Sequence, residues 1–488
     1  MHTPNNTCRL APFGLAMASS LAVLLAGCAV GPDYQRPDAA LPGEFTVAAT
    51  PTPAAAAIQQ DWWTLFRDDT LNGLVAQALA HNHDLRAAIA RVEEAEGLAR
   101  EAKATFFPQI DLSAGSSRSQ VSAVTATPLS ANSSRLRDSR KAALGTSFEI
   151  DVWGKLRRAD EAARAQLLAS RYAQDTVRLS VASLVTSGYL ALRAADASIA
   201  LTKDTLDLRA KSRDIVKSRL DAGAVSPIEY YQADSSLAAA EAQLAELRRT
   251  RALSQSQLAL LTGQPGLQLD PGDLRQLPLP PVPPAGLPSE LLERRPDIRQ
   301  AEETLVSANA QIGVAKAALF PSLTLTGSLG SESAALAKLF TSAAGTWSLG
   351  LAAAMPIFDA GRNAARIDQA TARQKQSLVA YQKTVQTAFK EVNDALVGLR
   401  ENAESEQSQN RRVEGANKTL ELAQIRYEAG YSGFLDVLDA QRSANDAALS
   451  AVSTRQARLN SAVDLFKALG GGWTAKEGKP AATASAEP

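Results

Sequence analysis

Residues 155–221 read KLRRADEAARAQLLASRYAQDTVRLSVASLVTSGYLALRAADASIALTKDTLDLRAKSRDIVKSRLD, between Gly154 and Gly223. The stretch has no proline and a single internal glycine, Gly188, so nothing in it forces a break. As one helix at ~1.5 Å per residue it would extend about 100 Å. Apolar residues return at heptad spacing in two adjacent rows, Leu192, Ile199 and Leu206, and Leu201, Leu208 and Ile215. An element several times longer than an ordinary globular helix points to an elongated coiled-coil architecture and away from a compact enzyme.

On the far side, Gly223 is placed to end this helix as a left-handed cap, and Pro227 opens a shorter helix running to about Leu261. On the near side, Asp61-Trp62-Trp63 opens a helical region with Leu71, Leu74, Val75, Ala78 and Leu79 on one face. A second helix follows from about Asp84 to Phe106 and stops at Pro108. The period then changes from helix to strand. Ile110, Leu112 and Ala114 alternate with Gln109, Asp111 and Ser113, and after a polar loop Phe148, Ile150 and Val152 mark a second, less strict alternation.

This order occurs twice. Asp84-Leu85-Arg86 returns as Asp297-Ile298-Arg299, and Ala102-Lys103-Ala104-Thr105-Phe106-Phe107-Pro108 as Ala315-Lys316-Ala317-Ala318-Leu319-Phe320-Pro321, both 213 positions on. Strand-like runs follow through Leu323, Leu325 and Leu329, and through Trp347, Leu349 and Leu351. Gly154-Lys155 returns as Gly361-Arg362, and Arg219-Leu220-Asp221-Ala222-Gly223 as Arg426-Tyr427-Glu428-Ala429-Gly430, now 207 positions on. The second long helix carries Val385, Phe389, Val392, Leu396 and Leu399 at steps of four and three. Matches in this order establish a duplication, and the change of offset falls in the hairpins, where loop length is free to vary. The expected organisation is a leader at 1–27, an extended segment at 28–60, repeat 1 at 61–263 with a hairpin at about 108–153, and a proline-rich link at 264–288. Repeat 2 occupies 289–470 with a hairpin at about 321–358, and a flexible tail occupies 471–488.

The 488 residues carry 51 basic and 51 acidic side chains, a balance that argues against a nucleic-acid partner. Arg9, the apolar run Ala11 to Ala26 and then Leu25-Ala26-Gly27-Cys28 resemble the lipobox of bacterial lipoproteins. That resemblance implies cleavage before Cys28, acylation of Cys28 with palmitate among its chains, and, with no aspartate following, sorting to the outer membrane. Several acyl chains anchor a protein stably at ~0.8 kcal/mol per buried CH₂. Cys8 leaves with the leader, so no disulfide is expected. Beyond Cys28 no apolar run reaches the ~18 residues that a spanning helix needs.

The strands have one apolar and one polar face, as in a barrel wall in lipid. Four of them cannot close a barrel, and lipid tolerates no unpaired strand edge. Several copies of the chain are therefore expected to share one barrel, which the helices continue as a coiled-coil tube. The expected fold class is mainly α with a β-barrel part, built from tandem repeats. A soluble coiled coil with two decorative hairpins is the competing reading, and it leaves the apolar strand faces exposed.

Cys28-Ala29-Val30-Gly31-Pro32-Asp33-Tyr34, Asp61-Trp62-Trp63 and Asp151-Val152-Trp153-Gly154-Lys155 resemble the outer-membrane factors of the TolC superfamily, in their NodT-like lipoprotein branch. So do Arg294-Arg295-Pro296-Asp297, Pro356-Ile357-Phe358-Asp359 and Leu469-Gly470-Gly471-Gly472-Trp473, and the similarity runs from Cys28 to Trp473. It implies a homotrimer with four strands per chain in one outer-membrane barrel, continued by a periplasmic helical tunnel. It also implies two partners, a periplasmic adaptor (membrane fusion protein) and an inner-membrane pump. The expected function is a passive efflux duct for small molecules. A duct for protein secretion and a non-channel structural lipoprotein are the alternatives.

A duct needs a gate and no catalyst. By resemblance, Arg219, Leu220, Ala222 and Gly223, with Tyr427, Ala429 and Gly430, are the residues for adaptor contact at the periplasmic tip. Tyr431, Leu435, Asp436, Leu438 and Asp439 are those for the gate, where acidic residues from three copies would gather cations. Asp436 also suits a helix N-terminus, worth roughly 0.3–1 kcal/mol. The non-lipoprotein branch carries a gate-clamping arginine in a longer second turn, and Tyr431-Ser432-Gly433-Phe434 has none. No catalytic residue, cofactor or metal is expected. His81 and His83 lack further partners at ligand spacing, and no nucleophile elbow, P-loop or dinucleotide fingerprint occurs.

Overall fold

The computed structural model describes residues 29–38, 42, 45, 58–122, 124, 134–283 and 288–474. Cys28 and the expected leader lie outside the described residues. After a 3₁₀ turn at Trp62–Phe66 come α1 (Asp69–His81), α2 (His83–Ala104), β1 (Gln109–Gln120), β2 (Leu136–Ile150), α3 (Lys155–Asp221) and α4 (Pro227–Thr262). A single turn at Leu291–Arg294 leads into the second repeat of the same order: α5 (Pro296–Ala317), β3 (Ser322–Ser333), β4 (Gly345–Ala354), α6 (Arg362–Glu428) and α7 (Phe434–Ala468).

Both long helices have 67 residues. Each starts on an aspartate that captures free amides of the first turn. Asp151 accepts from the Leu156 and Arg157 amides at 3.0 Å each, and Asp359 from those of Gly361 (3.0 Å) and Asn363 (2.9 Å). Gly188 has a packing reason: a Cβ there would sit 3.3 Å from Leu258 Cδ2 of α4, so its absence lets the two helices approach closely.

The chain divides into two compact units, 1–37 with 93–169 and 302–380, and 38–92 with 170–301 and 381–488. The first unit contains a four-stranded antiparallel sheet in the order β1-β2-β3-β4. Its register puts Ile110 beside Thr146, Leu112 beside Leu144, Phe148 beside Leu325, Leu325 beside Leu351 and Leu329 beside Trp347. Because strand side chains alternate, Ile110, Leu112, Leu144, Phe148, Ile150, Leu323, Leu325, Leu329, Trp347, Leu349 and Leu351 form one apolar face. Serine, threonine, glycine and alanine dominate the other. The second strand departs from the sequence expectation. It begins at Leu136, inside a charged stretch, and ends at Ile150, because Asp151 turns away to cap α3 and takes Val152 out of the strand.

Also in the first unit, an extended strap at 29–37 is bolted down by polar contacts. The Val30 amide donates to the Trp153 carbonyl at 3.0 Å, and Asn309 Nδ2 donates to the Pro32 carbonyl at 2.8 Å. Arg158 reaches Asp33 at 2.6 Å, and Arg36 grips Glu302 with two bonds of 2.6 and 2.8 Å. Gly31 makes the crossing possible. Its φ is +119°, and a Cβ would lie 2.6 Å from Gly313 Cα of α5. Gly31→Ala is therefore expected to cost about 2 kcal/mol or more of strap docking, from backbone strain and overpacking together. Hydrogen exchange at the Val30 amide should accelerate accordingly, and unchanged protection would show that the crossing tolerates a side chain.

The second unit is packed around Trp62, Phe66, Tyr189, Leu190, Leu192, Leu258 and Phe466, with the Trp62 and Phe466 rings stacked at 5.3 Å. Leu71, Leu74, Val75 and Ala78 are buried in it, as the face of α1 anticipates. The proline-rich link is part of this core, since Leu274 and Leu277 are buried and three arginines hold its carbonyls. Arg193 donates to Asp270 O (2.6 Å), Arg251 to Leu269 O (2.7 Å) and Arg455 to Leu277 O (2.7 Å). Packing continues into residues 471–473 of the segment expected as a tail: Gly471 and Gly472 have positive φ, and Trp473 Nε1 donates to Asp175 at 2.9 Å.

Candidate functional site

Within the second unit, the ends of α3 and α6 are built alike. The Gly223 amide donates to the Leu220 carbonyl and the Ala224 amide to that of Arg219, both at 2.8 Å. The matching bonds run from Gly430 to Tyr427 (3.1 Å) and from Tyr431 to Arg426 (2.8 Å). With φ at +72° and +78° on the two glycines, both turns are Schellman caps. A Cβ on either glycine would meet nothing within 4 Å, so these glycines serve backbone conformation and not close packing.

Four helix ends meet here. Val216 of α3, Ala233 of α4 and Phe434 and Val437 of α7 form a small buried cluster, against which Val225, Tyr230, Ala423, Tyr427 and Leu438 pack. The heptad row Leu201, Leu208 and Ile215 runs one residue beside the buried one throughout: Leu201 and Leu208 are half-buried and Ile215 is exposed, whereas Thr202, Arg209 and Val216, at the same spacing of seven, are buried.

The residues anticipated for adaptor contact fall into two sets. Ala222, Gly223, Ala429 and Gly430 are exposed at the two turns. Arg219 and Tyr427 are engaged with each other, the guanidinium carbon 5.0 Å from the ring centroid, while the Tyr427 ring lies 5.4 Å from that of Phe434. Leu220 is half-buried, and its carbonyl serves the first cap. Of the residues anticipated for a gate, Tyr431 (78%) and Leu435 (55%) are exposed, as is Asp436 in the first turn of α7. Leu438 is half-buried against the cluster. Asp439 is exposed and lies 3.2 Å from Arg442, which screens its charge.

The sequence reading passed over Ile228 (66% exposed) and Tyr231 (68%) on α4. They stand 207 positions before Leu435 and Leu438, so the repeat offset already in hand would have found them. Their helix starts differently from its partner. Ser226 caps α4 by accepting from the Ile228 amide, whereas Gly433 offers α7 no side-chain cap.

In the first unit, the sheet offers the other functional surface. On its apolar face Trp347 is 79% exposed and Leu349 73%. Along β2 the apolar stretch from Ala142 to Ile150 measures about 26 Å at ~3.3 Å per residue. A strand tilt of ~40° reduces that to about 20 Å, near the ~25 Å band of outer-membrane barrels. The opposite face is hydroxyl-rich, with Ser328 and Ser348 hydrogen-bonded across the ladder at 2.8 Å. No described helix is long and apolar enough to cross a membrane, and no group of His, Cys, Asp and Glu suited to a metal occurs among the described residues.

Comparison with known proteins agrees with this geometry. The outer membrane efflux protein family matches residues 74–264 and 287–471. The toluene efflux pump outer membrane protein TtgC of Pseudomonas putida is 34% identical over 478 residues, covering 96% of this chain and 97% of that protein. The cation efflux system protein CusC of Escherichia coli K12 is 34% identical over 473 residues, covering 95% and 99%. Among solved structures, the CmeC outer membrane channel of Campylobacter jejuni superposes with a TM-score of 0.85 at 29% identity, covering 92% of this chain and 96% of that one. With the family matched in both repeats and relatives similar end to end, this chain belongs to the outer membrane efflux protein family.

Proposed function

We propose that three copies of this chain form the outer-membrane duct of a tripartite efflux pump, each giving its four strands to one shared barrel. The observation that carries this reading is the sheet, which has one continuous apolar face and two outer edges, on β1 and β4, without a partner strand among the described residues. In hydrocarbon each unpaired backbone group costs several kcal/mol, so the edges must meet those of further copies until the ring closes. Serine, threonine and glycine line its inner face and leave a wide, hydrated passage. The long helices continue the passage through the periplasm, and acylation of Cys28 adds a second hold on the membrane.

The two Schellman turns form the periplasmic tip. Ala222, Gly223, Ala429 and Gly430 meet an adaptor there, which joins the duct to an inner-membrane pump. Leu435, Asp436 and Asp439, with Tyr431, narrow the closed end, while Leu438 supports them from the apolar cluster. The duct does not select the cargo. Two relatives of equal identity, one named for toluene efflux and one for cation efflux, support placing that choice elsewhere in the pump.

Purified mature protein should run as a trimer in detergent and give discrete single-channel currents in planar bilayers. A monomer without conductance would overturn the duct. Asp436→Ala combined with Asp439→Ala should lower the cation preference read from the reversal potential, or open the closed state. Currents identical to those of the unaltered protein would remove these aspartates from the gate.

A further inference from the structure

The apolar face of the sheet changes character at its outer end. On β2 the residues that share a face with Ala142 and Leu144 are, continuing outward, Arg140 and then Asp138. Across the ladder, Ser116 stands beside Arg140 and Arg118 beside Asp138. Arg118 Nε lies 3.6 Å from the Asp138 carboxylate, and the arginine side chain is 67% exposed. Arg118 and Arg140 are diagonal neighbours, about 7–8 Å apart on such a ladder. Arg140 also donates through Nη1 to the Ala334 carbonyl, at the start of the β3–β4 connection, where Leu336 and Phe340 are exposed one helical turn apart. The two hairpin ends together carry Arg118, Arg135, Arg137, Arg140, Lys141 and Lys338 against Asp138 and Glu332. Cations dominate this end of the sheet although the whole chain is neutral.

We propose that Arg118 and Arg140 bind the phosphate groups of an outer-leaflet glycolipid, with Leu336 and Phe340 against the same molecule. The proposal rests on the reading of the apolar face as the membrane wall. Past the apolar band this face enters the headgroup layer, where the outer leaflet presents phosphorylated sugar. A guanidinium offers five donors in a planar fork suited to phosphate. Asp138 pairs with Arg118 by charge at 3.6 Å, beyond hydrogen-bond distance, and keeps the guanidinium at this edge of the sheet. Arg140 is steadied by its bond to the Ala334 carbonyl, so this fork is held before the lipid arrives. Arg137 and Lys141 lie on the opposite, lumen face of β2 and take no part.

The test uses full-length mature protein in nanodiscs, with bisphosphorylated lipid A as the probe and its dephosphorylated form as the comparison, read by native mass spectrometry. The phosphorylated lipid should be retained about tenfold better, and Arg118→Gln with Arg140→Gln should abolish that preference. Arg137→Gln with Lys141→Gln should leave it intact, and added inorganic phosphate should not displace the lipid. Equal retention by the Arg118/Arg140 variant, equal loss in the lumen-face variant, or displacement by inorganic phosphate would each overturn the proposal. Quenching of Trp347 fluorescence by brominated acyl chains tests the wall separately. Quenching without phosphate preference defeats the lipid site alone, and absence of quenching defeats the wall itself.

Discussion

Leu349→Arg should cost about 2–4 kcal/mol per chain in membrane-inserted stability, and the neighbouring Ser348→Arg should cost little. The register makes this contrast sharp. Leu349 stands beside Gly327, which stands beside Thr146, midway along the apolar stretch of β2 from Ala142 to Ile150. A charge at Leu349 therefore faces the middle of the hydrocarbon. Ser348 points to the other side, where its hydroxyl bonds to that of Ser328, and an arginine there reaches water in the passage. The measurement is the fraction of each variant in outer-membrane vesicles after density-gradient separation, together with conductance. Leu349→Arg should be depleted from the membrane fraction, while Ser348→Arg should insert normally and shift ion selectivity toward anions. Normal insertion of Leu349→Arg would mean that this face does not meet lipid.

Asp196→Ala should destabilise the second unit by about 3–5 kcal/mol, the cost of stranding buried charges without their partner. The Asp196 side chain is 2% exposed and receives Arg251 Nε at 2.6 Å, Arg193 Nη1 at 3.2 Å and the Gly272 amide at 3.1 Å. Arg193 in turn lies over the Tyr189 ring, 4.7 Å from its centroid, and Tyr189 donates to Asp68 at 2.6 Å. Burial, together with the Asp68 bond, pushes the Tyr189 hydroxyl up to about 12, so it stays a neutral donor. Burial works against the Arg193 charge, yet its bonds to Tyr189 and Asp196 lift the guanidinium above its ordinary value. Removing Asp196 leaves two arginines facing each other and loosens their grip on the Leu269 and Asp270 carbonyls. Thermal unfolding in detergent should occur at lower temperature, and limited proteolysis should cut first within 264–283. A midpoint equal to that of the unaltered protein would show that the link is held by its apolar contacts alone.

Much of this architecture could be read directly from residue order. The long helix runs from Lys155 to Asp221 as its glycines and missing prolines indicate, because a helix ends where left-handed glycine backbone is supplied. The duplication could be read because paired turns need the same residues twice. The outer half of β2 could not. Arg137 to Lys141 lie beyond the apolar band, where both faces of a strand are wet and alternation carries no signal. The Asp196 network was equally hidden, since it joins residues 55 and 76 positions apart through bonds that leave no periodic trace. At the tip, local sequence indicates the caps and the acidic first turn of α7. The partnership of Arg219 with Tyr427 depends on how four helix ends meet.

The seam between β2 and β3 joins strands from the two halves of the duplication. In a closed ring, the joint between one chain and the next brings together strands from those same halves, so internal and external joints alternate around six near-equivalent positions. Ancestral single-hairpin chains would have needed six identical subunits and hence six identical tips. Fusing them in pairs frees the two tips to diverge, as Ser226 has from Gly433 and Tyr231 from Leu438. One ring can then present two kinds of contact in alternation.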